Sequence, residues 1–311
     1  MQKSYLGILY GLGAAAIWGG MYVVSDVVLE VIPPFTLLTA RLCLGVLAAW
    51  GMARQQGGVR FTRQQFGQVA SAGLVGYGVS LGLQFVGTRL STAANGALLT
   101  STTPAFVLVF AAWLLHEKIT PRRVGALILS TLGVVAVIDI RSASLTPDLF
   151  WGNVALAGAG LTWALYSVLL RKVTQELPVW SVAFVAILGG LPVTLPAMGW
   201  ELQTATIGVV TPGIVAGVLY LGVVSTAVAT ALWTRAFAEL EAGVASLTFF
   251  AQPVVGVALS ALLLGERLSG LFFVGGGLIG VGVWLASSAP ESRKQLVNHN
   301  GLKFRDPCQR P

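Results

Sequence analysis

Charge, cysteine and histidine are all scarce in this sequence. Charged residues make up 10% of the 311 residues, whereas hydrophobic residues make up 55% and the mean hydropathy is +0.80. A soluble domain usually carries about 25% charge and cannot bury so much apolar surface. The two cysteines and two histidines form no disulfide framework and no metal-ligand spacing. These absences predict an all-α integral membrane protein that needs no metal and no cofactor.

Motifs for common enzyme and nucleotide chemistry are also missing. The sequence has no GxxxxGK(S/T) loop, no strand-borne GxGxxG, no HExxH and no Ser-His-Asp set. The net charge of +7 is typical of some nucleic-acid binders, but its distribution along the chain fits a membrane-topology signal instead. We therefore expect no enzyme activity, no ATP drive from this chain and no nucleic-acid partner.

One stretch of the chain occurs twice. PAFVLVFAAWLLHEKIT begins at Pro104, and PVVGVALSALLLGERLS begins 149 residues later at Pro253. Trp18 matches Trp163 in the same way, with a shift of four residues. A fixed-period repeat of this length indicates two halves built alike. The predicted repeats are residues 1–145 and 146–288, followed by a basic cytoplasmic tail, 289–311.

Ten apolar segments are long enough to cross a membrane, which takes roughly 20 residues. Proline, glycine and glutamine clusters separate them. The predicted spans are 5–29, 34–53, 66–87, 92–115, 121–139, 150–170, 178–200, 211–234, 242–264 and 270–287.

The lysines and arginines indicate the orientation of these spans. With a cytoplasmic N-terminus, 15 of the 19 fall in inside segments, three in outside loops and Arg41 within a span. The positive-inside rule therefore places both termini in the cytoplasm, with the cell (inner) membrane as the predicted location. Because each half has five spans, an odd number, the second half crosses in the opposite sense. The predicted fold is two inverted five-helix repeats, an architecture of secondary transporters.

The chain resembles the ten-helix EamA-type carriers of the drug/metabolite transporter superfamily. The residues that carry the resemblance are Trp18-Gly19-Gly20, the Pro33-Pro34 turn, Arg41 and the paired Leu-Leu-x-Glu-(Lys/Arg) motifs. The resemblance implies export or exchange of small metabolites, and within the family the chain looks most like the aromatic amino-acid exporters. It departs from the small four-helix drug exporters, which carry a mid-membrane glutamate, because no acid occupies the middle of a span here.

Polar and aromatic residues at helical spacing mark faces that could line a substrate cavity. Pro104 and Pro253 interrupt spans four and nine at matching places, which indicates a transporter's site or else a packing kink. For any single aromatic residue, a place in the interfacial belt is an alternative. Trp233, Ser167 and Gln252 share the predicted faces. The candidate substrate-binding residues are Trp18, Tyr22, Tyr77, Ser80, Gln84, Asn95, Leu99, Thr103, Trp163, Tyr166, Thr226, Thr230, Ser246, Phe249 and Phe250.

Several charged residues and glycines allow more than one interpretation. Arg41 is either functional, as an intramembrane charge, or structural, capping carbonyls or snorkelling outward. Glu117 and Glu266 are interpreted as interfacial ion pairs that finish helix hairpins. Asp26 and Glu30 are interpreted as a solvated helix end or a proton relay. Among the glycines, Gly276-x-x-x-Gly280 is one of three predicted helix-packing motifs.

These observations predict a secondary transporter working by alternating access. Its predicted cargo is a small neutral or zwitterionic metabolite, foremost an amino acid with an aromatic or large apolar side chain. One chain embedded in the lipid bilayer is expected to suffice. The alternatives are a proton-coupled multidrug or other metabolite exporter of the same superfamily and, from another class, a membrane channel.

Overall fold

The computed structural model describes residues 2–91, 93–138, 146–174, 177–264 and 270–287. Within these residues the chain is helical and has no strand, and ten helices are long and apolar enough to cross a membrane. The spans are span 1, Gln2–Leu29; span 2, Pro34–Gln55; span 3, Arg63–Leu90; span 4, Ala93–Thr100 and Thr103–Leu115; span 5, Pro121–Ile138; span 6, Pro147–Thr174; span 7, Val179–Leu188 and Leu191–Glu201; span 8, Pro212–Glu239; span 9, Ala242–Leu247, Thr248–Phe250 and Ala251–Leu264; and span 10, Gly270–Ser287.

The predicted ten-span, all-α architecture is confirmed, and spans 3, 6 and 8 are longer than predicted, at 28 residues each. Their extra turns contain charged residues, so hydropathy alone does not reveal them. Span 3 begins at a capping box, in which Thr62 Oγ1 accepts from the Gln65 N–H at 3.2 Å and Gln65 Oε1 accepts from the Thr62 N–H at 2.9 Å.

Five spans are interrupted, and in four of them the interruptions lie at matching places in the two halves. Spans 3 and 8 each contain a π-helical segment, Leu74–Ser80 and Tyr220–Val228. Spans 4 and 9 each break just before their proline, so that Pro104 and Pro253 lie in the first turn of a new helical segment. A proline is tolerated there because its missing N–H has no partner within the helix. The predicted helix interruptions are therefore present.

The packing of the spans repeats between the halves. Span 1 packs on spans 8 and 9, and span 6 correspondingly packs on spans 3 and 4. Span 2 packs on span 8 and span 7 on span 3, while the pairs 2–7 and 5–10 each join equivalent spans. Each pairing thus has a counterpart five spans away, as expected of two halves built alike.

The buried residues form two cores. The larger core lies at the centre, among spans 1, 2, 3, 4, 6, 7, 8 and 9, and contains most of the buried aromatic rings. The smaller core lies between spans 5, 9 and 10. There a Cβ on Gly133 would lie 2.7 Å from the carbonyl oxygen of Gly275, so the backbones of spans 5 and 10 meet directly.

Candidate functional site at the centre of the bundle

Seven aromatic rings from both halves meet at the centre of the bundle. We call this group the aromatic cluster. Spans 1, 3, 6, 8 and 9 contribute its members, which are Trp18, Tyr77, Trp163, Tyr166, Trp233, Phe237 and Phe249.

Trp18 and Trp163, which the sequence repeat makes equivalent, lie at the middle of the aromatic cluster. Their ring centroids are 5.6 Å apart and nearly perpendicular, at 83°. Trp18 also contacts Trp233 at 5.3 Å and Phe249 at 6.0 Å, whereas Trp163 contacts Tyr77 at 5.6 Å. Such edge-to-face contacts are each worth about 0.5–1.5 kcal/mol beyond burial. The two tryptophans therefore join the aromatic residues of one half to those of the other.

Hydrogen bonds hold several of these rings. Trp18 Nε1 donates to the Ser225 carbonyl at 3.0 Å, within the π-helical segment of span 8. Trp233 Nε1 donates to Ser167 Oγ at 3.2 Å. The Tyr77 hydroxyl, within the π-helical segment of span 3, is hydrogen-bonded to Thr230 Oγ1 of span 8. Because π-helical segments recur at functional sites, their presence on both sides of the aromatic cluster marks it as the candidate site.

Three buried polar atoms in or beside the cluster have no hydrogen-bond partner among the residues that the structure describes. They are Nε1 of Trp163, the hydroxyl of Tyr166 and Oε1 of Gln252. Gln252 lies one turn beyond Phe249, and its backbone packs against Gly19, where a Cβ would approach the Gln252 carbonyl oxygen to 2.7 Å. An unpartnered buried donor or acceptor costs about 1–3 kcal/mol. A ligand that hydrogen-bonds to these atoms would recover that cost.

Arg41 lies beside this site and is 3% exposed. Its Nε donates to Thr226 Oγ1 at 3.1 Å, and one terminal nitrogen lies 3.2 Å from Met21 Sδ and 3.4 Å from Ser225 Oγ. Because the side chain is buried, it does not snorkel outward. The guanidinium instead joins span 2 to the π-helical segment of span 8.

Some predicted site residues fasten helices together instead of joining the aromatic cluster. Ser80 Oγ donates to the Ala159 carbonyl at 2.8 Å, and Thr103 Oγ1 donates to the Gly160 carbonyl at 3.3 Å. Both hydroxyls therefore hold spans 3 and 4 against span 6. Ser246 Oγ donates within its own span, to the Gly243 carbonyl at 3.1 Å.

Asn95 and Phe250 lie away from the aromatic cluster. Asn95 Nδ2 donates to Ser91 Oγ at 3.0 Å and to Asn153 Oδ1 at 2.8 Å. Because Asn153 precedes Trp163 by ten residues on one helix, Asn95 lies roughly 15 Å along the bundle from the cluster. Phe250 belongs to the smaller core, between spans 5 and 10. Gln84 and Leu99 are half-buried, and the Tyr22 side chain lies outside what the structure describes.

The carbonyls at the break in span 4 are largely satisfied locally. The hydroxyls of Thr100, Ser101 and Thr102 donate to the carbonyls of Gly96, Leu98 and Leu99 at 2.6, 2.6 and 2.5 Å. This break is therefore stabilised by its own side chains. It offers a ligand less than a bare proline kink would, because these acceptors are already engaged.

Sequence reasoning missed one group of charged residues and one ring. Glu117 lies 3.1 Å from Arg171 of span 6 and 3.7 Å from Arg123 of span 5, so these ion pairs join it to other spans. Phe237 joins the aromatic cluster from span 8. The signal for Phe237 was its place four residues after Trp233, on the same helix face. The Glu266 motif lies outside the described residues.

A ten-span bundle whose halves share their breaks and meet at an aromatic centre is the architecture of a membrane transporter. The model of the EamA-like transporter family matches residues 5–138 and again residues 150–288. The chain therefore belongs to the EamA-like transporter family, part of the drug/metabolite transporter superfamily.

Relatives from several organisms match nearly the whole chain. "Uncharacterized transporter YetK" of Bacillus subtilis (strain 168) is 25% identical, over 88% of this chain and 85% of the relative. A "Probable amino-acid metabolite efflux pump" of Salmonella typhimurium is 26% identical, over 91% and 94%, respectively. The protein of that name in Escherichia coli (strain K12) is 24% identical, over 90% and 93%.

A solved structure supports the fold independently. It matches this chain with a TM-score of 0.78 and 20% sequence identity. The match covers 90% of this chain and 96% of the chain in that structure. At that identity the similarity establishes the architecture alone. Together, these comparisons and the ten apolar helices make the chain a multi-pass membrane transporter with a small-molecule substrate.

Proposed function

We propose that this protein exports small neutral or zwitterionic metabolites by alternating access, and that its preferred cargo is an amino acid with an aromatic or large apolar side chain. The aromatic cluster binds the cargo's side chain between the two halves. Trp163 Nε1 donates to its carboxylate, and Gln252 Oε1 accepts from its ammonium group.

The observation that carries this proposal is the aromatic cluster together with the unpartnered Trp163 Nε1 and Gln252 Oε1. A surface built from indole and phenol rings favours an apolar, π-rich side chain. An unpaired donor and an unpaired acceptor match the two ends of a zwitterion. Two of the relatives carry names that state amino-acid metabolite efflux, which supports the same substrate class.

Alternating access follows from two halves that are equivalent but oppositely oriented. We propose the inverted repeats 1–145 and 146–288, with both termini in the cytoplasm and the protein in the inner membrane. The double match of the family model and the repeated span pairings support the duplication. Because both halves contribute rings to one cluster, a single chain supplies a complete site and functions as a monomer, with no nucleic-acid partner.

Transport by purified protein in proteoliposomes tests the substrate. Trp163→Phe keeps a ring but removes the N–H, so the KM for a transported amino acid is expected to rise about five- to tenfold, the worth of one hydrogen bond. Trp113→Phe is the matched control, because Trp113 is 69% exposed on the lipid-facing surface of span 4. Equal kinetics for the two variants would contradict the proposed role of Trp163.

The same vesicles separate the alternatives. Saturable, ATP-independent flux of aromatic amino acids supports the proposal, whereas non-saturable flux identifies a channel. Because no acid lies mid-span, we expect facilitated transport with weak or no coupling to protons. Uphill accumulation driven by an imposed pH gradient alone, or preference for a quaternary ammonium drug over every amino acid, would favour the proton-coupled drug exporter.

A further inference from the structure

The turn that joins spans 8 and 9 is held by charged side chains from spans 4, 5 and 6. Span 8 ends at Glu239 and span 9 begins at Ala242. Glu117 Oε1 accepts from the Ala242 N–H at 2.7 Å, and Oε2 accepts from the Gly243 N–H at 3.2 Å. The first N–H groups of a helix have no partner within it, so Glu117 caps span 9 from another part of the molecule.

Arg171 caps the other side of the same turn. Its terminal nitrogen donates to the Phe237 carbonyl at 2.6 Å, in the last turn of span 8, while its Nε lies 3.1 Å from Glu117 Oε1. A carboxylate therefore meets the positive end of span 9, and a guanidinium meets the negative end of span 8. Glu117 and Arg171 also form an ion pair with each other, so the span 8–9 turn is held from both sides.

A second ion pair extends this contact to span 5. Arg123 pairs with Glu241, which immediately precedes span 9, and it also donates to the Lys118 carbonyl at 3.0 Å. Side chains of the four residues are between 5% and 14% exposed, and their charges cancel. We call Glu117, Arg123, Arg171 and Glu241 the inner clasp, because they lie at the end predicted to face the cytoplasm.

The duplication does not reproduce the charges of the inner clasp at the opposite end. The repeat that aligns Pro104 with Pro253 places Glu266 opposite Glu117 and Phe272 opposite Arg123. The alignment of Trp18 with Trp163 places Asp26 opposite Arg171. Each arginine thus corresponds to a residue without positive charge. These positions therefore provide no equivalent ion pairs at the span 3–4 turn.

We propose that the inner clasp is the cytoplasmic gate of the transporter. The described conformation is closed at this end, and the clasp separates when the cargo enters from the cytoplasm. Because the outer-end positions equivalent to Arg123 and Arg171 carry no positive charge, the resting protein favours the state closed to the cytoplasm. This inference rests on the alternating access of the proposed function.

Thiol labelling from the cytoplasmic side tests the gate without any substrate. In a chain with Cys43 and Cys308 replaced by serine, Ala245→Cys places a buried reporter one turn inside the clasp. Adding Glu117→Gln is expected to raise the rate of labelling by a membrane-impermeant reagent about tenfold, because a buried ion pair that loses one partner is strongly destabilised. Labelling applied from the other side is expected to fall or stay unchanged.

Glu239→Gln is the matched control for this substitution. Glu239 pairs with Arg235 at 3.1 Å within one helix, and the Arg235 side chain is 51% exposed. Such surface pairs contribute little, and this one joins no two spans, so labelling should change less than twofold. Equal labelling of the two variants would overturn the gate proposal.

A reversible crosslink covers the case in which Glu117→Gln does not fold. Cysteines at positions 108 and 243 join span 4 to span 9 and leave Glu117 in place, since a Cβ on Gly243 would lie 3.2 Å from Leu108 Cδ1. Oxidation is expected to abolish cargo flux or, if no cargo is found, to block labelling of the cysteine at 245. A reductant should restore either one. Full flux or full labelling in the oxidised protein would show that the clasp is a static cap.

Discussion

The aromatic centre and the span 5–span 10 pair are built in opposite ways. At the centre, three of the contributing spans are interrupted by π-helical segments or breaks, and the contacts are between side-chain rings. Spans 5 and 10 are continuous 18-residue helices, and Gly133 and Gly275 bring their backbones into contact. Side-chain rings can change rotamer, whereas a contact between two backbones cannot be relieved in that way.

This difference assigns different tasks to the two regions. The span 5–span 10 pair joins equivalent spans of the two halves, so it can hold them together while other contacts change. The centre combines interrupted helices with unpartnered polar atoms, as expected of the proposed cargo site. Substitutions in the pair should therefore affect folding, and substitutions at the centre should affect transport.

The largest effect is expected for Gly275→Ala. The added methyl group would meet the Gly133 carbonyl oxygen and lie 2.7 Å from Val137 Cγ2. Overpacking of this kind costs about 1–3 kcal/mol, and because backbone forms part of the obstacle, we expect the upper end of that range. The measurement is the yield of monodisperse protein in detergent and its melting temperature.

Gly277→Ala is the control for Gly275→Ala. It makes the same chemical change two residues away on the same helix, where a Cβ would have no atom within 4 Å. Its stability should match that of the parent protein. If both variants were equally destabilised, the effect would come from helix propensity or insertion, and the tight pairing of spans 5 and 10 would lose its support.

The glycines of span 10 show what the sequence leaves open. The Gly276-x-x-x-Gly280 spacing predicted the packing face, and this prediction is wrong: a Cβ on Gly280 would meet nothing within 4 Å. The closely packed glycines are Gly275 and Gly282. Because span 10 is apolar and glycine-containing on every side, spacing cannot tell which face meets a neighbour and which meets lipid.

The same reasoning explains which site residues could be predicted. The repeated motif located both proline breaks, and helical spacing located most of the aromatic cluster. Phe249 and Phe250 were equally plausible because both are apolar, but adjacent residues on a helix point about 100° apart. The ion pairs of the inner clasp were not predicted because their partners are far apart in sequence. The sequence suggested the adjacent Lys118 as the partner of Glu117, and not Arg171.

An intermediate effect is expected from the bond between Tyr77 and Thr230, which joins span 3 to span 8 at the centre. Tyr77→Phe leaves the ring in place and removes the hydroxyl. We expect the transport rate to change by about fivefold, corresponding to roughly 1 kcal/mol, with little loss of stability. The measurement is initial flux in proteoliposomes, with melting temperature as the folding check.

Thr230→Val and the double variant complete this experiment. If the bond is the relevant contact, the double variant should resemble either single variant, because the second substitution has no bond left to remove. Additive effects would mean that the two hydroxyls act separately. A fall in melting temperature as large as that of Gly275→Ala would instead show that this bond stabilises the fold, as the contacts of the span 5–span 10 pair do.

The smallest effect is expected for Ser130→Ala in span 5. Ser130 is fully buried, and its hydroxyl, like Trp163 Nε1, has no hydrogen-bond partner among the described residues. It lies against Gly282 of span 10, in the span 5–span 10 pair. Removing an unpartnered buried hydroxyl should leave stability unchanged or raise it by about 1 kcal/mol.

Ser130→Ala also compares the two regions directly, because Ser130 and Trp163 each present an unpartnered polar atom to the interior. Transport by Ser130→Ala should equal that of the parent protein, while Trp163→Phe should raise KM. The measurements are melting temperature and flux at several substrate concentrations. A rise in KM for Ser130→Ala as large as that for Trp163→Phe would mean that unpartnered polar atoms do not mark the cargo site. The proposed division between the aromatic centre and the span 5–span 10 pair would then fail, because a substitution in that pair would alter cargo binding.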